Sequence, residues 1–199
     1  MALDTYANLK TAIAGHLNKT NLTAAIPDFI TLAEAQMNRE LDCREMIATT
    51  TVTISQEDYF PPCDFAGVQS FRIDGSPAEP LIYVLPHELD DAFGTGKPCR
   101  YTITDRFVFD PSPDGEYEAR LRYRRRLQPL SNSCAANWLL LKHPDAYLYG
   151  ALMQAAPYLR DDDRIATWGG LFKAALDGIN ADDKRTAHPG TLNSRGRSM

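Results

Sequence analysis

No apolar run in this sequence approaches the roughly 18–20 residues that a helix needs to cross a bilayer, although hydrophobic residues make up 44% of the chain. The opening Met1–Lys10 carries Asp4, Tyr6 and Asn8 where a secretory signal needs an unbroken apolar stretch, so export is not expected. Cysteine is scarce and scattered. Cys43, Cys63, Cys99 and Cys134 stand 20, 36 and 35 positions apart, without the close pairs of a tetrahedral zinc site. With no export signal they read as reduced, half-buried thiols. An excess of positive charge is missing too: 21 Lys and Arg face 26 Asp and Glu, a net charge of −5, opposite in sign to a dedicated duplex-DNA binder. The expectation is a soluble protein of intracellular origin with no membrane partner.

Catalytic signatures are equally absent. The four histidines, His16, His87, His143 and His188, form no HExxH, and no H-x-E precedes a cysteine pair. There is no GxSxG elbow, Walker A loop or GxGxxG. Gly94-Thr-Gly96-Lys97 lacks the spacing and following helix of a phosphate cradle and reads as a loop. His87-Glu88, and His143 with Asp145, are the nearest approaches to acid–base pairs; surface or capping roles account for both. The carboxylate runs Asp161–Asp163 and Asp182-Asp183 match no EF-hand spacing. Helix-end electrostatics explains the first, and a solvated face explains the second. No catalytic residue, cofactor or metal is expected.

What is present suffices for a core. A chain of 199 residues hides about 70% of its extended surface on folding. Tyr6, Leu9, Ile13 and Leu17 recur at helical steps behind Asp4, a candidate N-cap. A second helix is expected from Pro27, with Phe29, Ile30, Ala33, Met37 and Leu41 as its stripe and Glu34, Asn38, Arg39 and Glu40 solvated. The period then changes. Nine of the 13 prolines fall between Pro61 and Pro129, which excludes long helices there. Thr49–Ile54, Val68–Ile73, Leu81–Val84 and Arg100–Ile103 are short strand candidates, the last pairing with Arg106–Phe109 through Thr104-Asp105. Pro86–Phe93 could form a helical turn or two. In Tyr117–Leu127, Tyr117, Ala119, Leu121 and Tyr123 face one way and Glu118, Arg120, Arg122 and Arg124 the other.

Helical spacing returns at Trp138–Leu141 and again from Pro144, where Ala146, Leu148, Tyr149, Leu152, Met153 and Ala156 predict a buried helix interrupted by Pro157. Ile165, Trp168, Phe172, Ala175, Leu176 and Ile179 form the face of a last helix closed by Lys184 and Arg185. Ala187–Met199 is polar and glycine-containing, and is expected to be mobile in isolation. Neither helical block alone can close a core. The predicted fold is therefore α+β: residues 1–46 and 137–186 form a helical bundle, residues 47–136 an inserted small antiparallel β-sandwich-like domain, and residues 187–199 a flexible tail.

One charge anomaly remains. Arg120, Arg122, Arg124, Arg125 and Arg126 place five arginines in seven positions of an acidic protein. They read either as a solvated face, as a surface complementary to carboxylates of another subunit, or as a contact with nucleic-acid phosphates.

Several segments together resemble a known family. Tyr6-Ala-Asn-Leu-Lys-Thr-Ala-Ile, Ile26-Pro-Asp-Phe-Ile and Ala33-Glu-Ala-Gln-Met-Asn-Arg-Glu-Leu look like the start of tailed-bacteriophage head–tail adaptor proteins. Tyr59-Phe-Pro-Pro-Cys-Asp-Phe, Pro111-Ser-Pro-Asp-Gly-Glu-Tyr and Asn137-Trp-Leu-Leu fit the same pattern. So does Pro144-Asp-Ala-Tyr-Leu-Tyr-Gly-Ala-Leu-Met-Gln-Ala-Ala-Pro-Tyr-Leu-Arg-Asp-Asp, similar to the family's buried helix and its abrupt end. The likeness covers roughly residues 3 to 186. It rests on packing and turn residues, with no catalytic signature among them.

The resemblance to adaptors of the tail-tubular-protein-A type implies a ring, usually of twelve copies, docked beneath the portal protein. It implies a downstream tail or nozzle protein on the opposite face, a central channel for the genome, and a place in the virion after assembly in the host cytoplasm. The C-terminal segment would dock on the portal, with Leu192, Arg195 and Arg197 as anchors, and Arg120, Arg122, Arg124 and Arg126 would lie between subunits. Two other classes stay open: a nucleic-acid-binding module using the Arg120–Arg126 strand, and a small hydrolase built around His143 and Asp145.

Overall fold

The structure, a computed structural model, describes residues 3–18, 20–75, 77–89, 94–159 and 162–187. It divides into two units, one from both ends of the chain (Met1–Glu45 with Leu127–Met199) and one continuous (Met46–Arg126). The fold is α+β, as the alternation of periods predicts.

In the first unit the apolar stripes become buried helix faces. Helix α1 (Tyr6–Leu17) buries Tyr6, Leu9, Ile13 and Leu17. Its N-cap is Thr5, not Asp4: Thr5 is extended and its hydroxyl accepts the Asn8 amide at 3.3 Å. Asp4 instead accepts from the Asn8 side chain at 2.8 Å. Helix α2 (Ile26–Glu40) places Pro27 in its first turn and buries Phe29, Ile30, Ala33 and Met37, the helix geometry that proline's fixed φ favours. Helices α3 (Trp138–Lys142), α4 (Pro144–Leu159) and α5 (Asp162–Ala187) complete the unit.

Helix α4 packs against α1, α2, α3 and α5, which accounts for a sequence that is apolar on every side. Small residues let its neighbours approach. A Cβ on Gly150 would stand 2.9 Å from Phe172 Cε2 and 3.1 Å from Ala33 Cβ, so only glycine fits between α2 and α5 there. Pro157 does not interrupt α4, which runs on to Leu159. A proline this close to the C-terminus forfeits a single backbone bond, and the helix ends within two residues.

Glu34 overturns the expectation that it is solvated. It is 4% exposed, on the packed face of α2. One carboxylate oxygen accepts the Leu130 amide at 2.8 Å and the Tyr147 hydroxyl at 3.1 Å. The Asn137 side-chain amide donates to the Tyr147 oxygen at 2.6 Å and to the Gln128 carbonyl at 2.7 Å. Its own oxygen accepts the Leu140 amide at 2.9 Å, capping α3. Asn38 adds a bond from the Leu127 amide at 2.7 Å. The chain from Leu127 to Asn137 is thus bound to α2 and α4 by polar groups inside the helical unit.

Among its described residues the second unit holds ten strands: β1 (Ile47–Ile54), β2 (Asp58–Tyr59), β3 (Phe65–Ile73), β4 (Glu79–Pro80), β5 (Ile82–Tyr83), β6 (Thr95–Gly96), β7 (Arg100–Ile103), β8 (Phe107–Asp110), β9 (Ser112–Pro113) and β10 (Tyr117–Arg125). One sheet has the order β1-β10-β3-β4, the other β2-β8-β7-β5. All the long pairings are antiparallel, and the β7–β8 hairpin turns through residues 104–106. Two short parallel pairs, β5 with β7 and β6 with β9, are additional to the antiparallel plan. Of the segment Pro86–Phe93, Pro86–Glu88 forms a 3-10 turn; residues 90–93 are outside the described set. Phe71 lies between the sheets, its ring 5.3 Å from Phe107, 5.6 Å from Tyr101 and 5.7 Å from Phe109. Val52, Ile54, Ile73, Ala119 and Leu121 join that core.

Burial pushes the Glu34 carboxyl above its ordinary pKa, against the opposing pull of the Leu130 amide and the Tyr147 hydroxyl. A carboxyl whose folded pKa is raised holds its proton to higher pH when folded, so its contribution to stability falls as pH rises through that pKa. Glu34→Gln keeps an acceptor and removes the titration. The stability of the wild-type chain relative to Glu34→Gln is expected to fall as pH rises above the ordinary carboxylate range, read from urea unfolding at each pH. A difference that stays flat contradicts the assignment. Glu34→Leu orphans the Leu130 amide and is expected to cost about 1–3 kcal/mol at neutral pH.

Candidate functional site

Strand β10 lies between β1 and β3, so its solvent-facing side chains are flanked on both sides. The alternation read from sequence holds. Ala119, Leu121 and Tyr123 are buried, while Glu118, Arg120 and Arg122 are exposed and Arg124 is half-buried. Register places Thr53 beside Glu118, Thr51 beside Arg120, Thr49 beside Arg122 and Ile47 beside Arg124. On the other flank Arg72 lies opposite Arg120, Ser70 opposite Arg122 and Gly67 opposite Arg124. The face is therefore a threonine column, an arginine column and a third column containing Arg72. Thr49, Thr51 and Thr53 are exposed and β-branched, which suits an open sheet face.

The structure brings three of the four singled-out arginines, Arg120, Arg122 and Arg124, onto this one face. Arg126 lies one residue past the strand, its amide bonded to the Asp64 carbonyl at 2.6 Å. Arg72 joins them across the sheet, and only strand register could reveal it. Arg120 reaches Asp74 at 3.4 Å. Arg72 and Arg122 make no hydrogen bond or ion pair with a described residue. Like charges directly opposite in an antiparallel pair weaken it, so the Arg72–Arg120 pair opposes folding.

The reverse side of β10 is firmly held. The Tyr123 hydroxyl donates to Asp64 at 2.9 Å. Burial, then the Asp64 carboxylate, push the Tyr123 phenol up to about 12. The arginines are thus mounted on a central, bonded strand rather than a loop, which keeps their spacing fixed.

The remaining candidates are less organised. His143 follows α3 and its ring makes no hydrogen bond with a described residue. It borders a shallow depression with Cys43, Trp138, Ile179 and Asp182. Two ion pairs rim that depression, Arg44–Asp183 at 2.6 Å and Lys142–Glu45 at 2.7 Å. Asp183 is therefore a paired, half-buried group rather than part of a solvated face. Burial works against its charge, yet Arg44 holds its carboxyl below the ordinary range. Glu88 accepts the Leu85 amide at 3.1 Å, a capping role, and does not pair with His87. Cys43 is buried and Cys134 half-buried, whereas Cys63 and Cys99 are exposed, and none of the four is in a disulfide. Among the described residues no group of His, Cys, Asp and Glu could hold a metal ion, and no helix is long and apolar enough to cross a membrane. Leu192, Arg195 and Arg197, and Asp161, lie outside the described residues.

Residues 4–195 match the family model described as SU10 adaptor protein. No curated protein matches the chain.

If the arginine face is retained for contact and not for folding, removing the like charge on β3 should strengthen the sheet. Arg72→Thr is expected to raise the unfolding free energy by about 0.2–1 kcal/mol, measured by urea denaturation. A loss of stability would instead make Arg72 a structural residue.

Proposed function

Because the chain belongs to the SU10 adaptor protein family, a family of phage structural adaptors, we propose that it is the head–tail adaptor of a bacteriophage virion. In this reading copies of the chain form a ring, of twelve by the tail-tubular-protein-A resemblance. The ring docks on the portal protein, receives the downstream tail or nozzle protein, and leaves a channel for the genome. It assembles in the host cytoplasm and performs no catalysis. The observation that carries the proposal is the family match, which spans residues 4–195 and so takes in both units.

Three features support the parts of the proposal. The arginine face presents Arg72 and Arg122 without a partner among the described residues, as a surface completed by another molecule would. Its arginines offer forked donors suited to carboxylates, and we assign Arg120, Arg122, Arg124 and Arg126 to the contact between subunits. Leu192, Arg195 and Arg197 of the polar C-terminal segment are assigned to portal docking. A net charge of −5 also suits a conduit, since a strongly basic channel would retain DNA phosphates.

Portal docking is tested by removing residues 188–199. The shortened chain is expected to keep its urea midpoint and helical circular dichroism while its affinity for purified portal rings falls by at least about tenfold, the loss of roughly 1.4 kcal/mol or more. Undiminished affinity would place portal docking elsewhere on the chain.

A further inference from the structure

The face that carries the arginines has two ends of opposite sign. Along β10 the exposed residues run Glu118, Arg120, Arg122, with Arg124 half-buried behind them. Exposed Glu116 and Asp114 precede the strand and exposed Arg126 follows it. Arg120 is satisfied by Asp74, and Asp114 accepts the Tyr117 hydroxyl at 2.5 Å. Glu116 and Glu118 at one end, and Arg122 further along β10, form no ion pair with any described residue, and neither does Arg72, which lies on β3 level with Arg120. Glu118 and Arg122 are four strand positions apart, about 13 Å at ~3.3 Å per residue. That exceeds the screening length of about 8 Å at physiological ionic strength, so with both side chains standing upright on the sheet the two ends are largely screened from each other.

We infer that the occupant of the arginine end is the acidic end of the same sheet in a second copy of this chain, with Arg122 and Arg72 of one copy set against Glu118 and Glu116 of the next. The inference rests on the adaptor reading and names the partner surface for it. Complementarity selects this occupant over nucleic acid: a phosphate backbone lying along β10 would meet Glu118 about 13 Å and Glu116 about 20 Å from Arg122. The threonine column gives a hydroxyl-bearing flank with no bulky group to hold two sheets apart. Set head to tail, as the adaptor reading requires, the contact is heterologous, and repeated around a rotation axis it closes into a ring.

The test is a charge exchange made in the full chain. Arg122→Glu gives copies acidic at both ends, and Glu118→Arg gives copies basic at both ends. Both side chains are exposed, and unchanged urea midpoints check that the variants fold. Native mass measurements in the presence of portal rings report how many copies assemble. Each variant alone is expected to need at least about tenfold more protein to assemble than wild type, within the range that contacting charge pairs command. An equimolar mixture of the two, and the double variant Arg122→Glu/Glu118→Arg, should assemble within about threefold of the wild-type concentration.

Single variants that assemble like wild type overturn the inference, as does a mixture that fails to recover. Assembly that stops at two copies replaces the head-to-tail contact by a two-fold one and also overturns it. So does a duplex oligonucleotide that binds wild type and loses affinity with Arg122→Glu while assembly is unchanged. If wild type itself gives no multi-copy species with the portal, the adaptor reading fails first, and the two failures are told apart by that control.

Discussion

A single buried carboxylate organises the helical unit. Glu34 sits on the packed face of α2 and accepts bonds from Leu130 and Tyr147, while Asn137 binds the same tyrosine and caps α3. These residues come from the two ends of a chain interrupted by the β unit, Glu34 before it and the others after it. A buried unpaired carboxylate is strongly unfavourable, so Glu34 is tolerated only where Leu130 and Tyr147 are in place. The arrangement fixes where the returning chain lies against α2 and where α3 begins. Helix α4 starts two residues after α3 ends and supplies the surface on which α1, α2, α3 and α5 pack.

The β unit solves a different problem. Its core is aromatic, built around Phe71, Phe107, Phe109 and Tyr101, and β10 is held on both edges. That leaves the outward side of β10 available for charge that does nothing for the core. The cross-strand Arg72–Arg120 pair carries a small folding penalty, and an unpaired arginine gains little from solvent. A rigid strand bearing such charges at fixed intervals suits recognition of another rigid surface, because little side-chain or backbone order must be acquired on contact. Glycine at position 150, the Glu34 network and the aromatic core all serve stability; the β10 face is the surface we assign to contact.

Much of this was legible in the residues. The stripes of α1, α2 and α5, the hairpin from Arg100 and the alternation of β10 follow from periods of 3.6 and 2.0. Glu34 was misread because its charge was weighed above its place. It lies four residues after Ile30 and three before Met37, on the buried face by spacing alone, but its partners Leu130 and Tyr147 are distant in sequence. Thr5 and Asp4 are both good N-caps, and only the backbone conformation chooses between them. The run of arginines was visible, and so was Glu118 on the same side of the strand. Arg72 was not, because strand register is a property of pairing and not of either strand. The parallel pairs β5–β7 and β6–β9 are two residues per strand, too short to leave a pattern.

Whether this chain builds a multi-copy layer on a portal decides the adaptor reading. The most direct measurement is the native mass of the full chain alone and after mixing with purified portal rings. The account predicts a discrete complex in which many copies of the 22.2 kDa chain are added to each portal ring in a fixed number. A portal mass unchanged by excess chain, with the chain remaining a monomer beside it, would contradict the account.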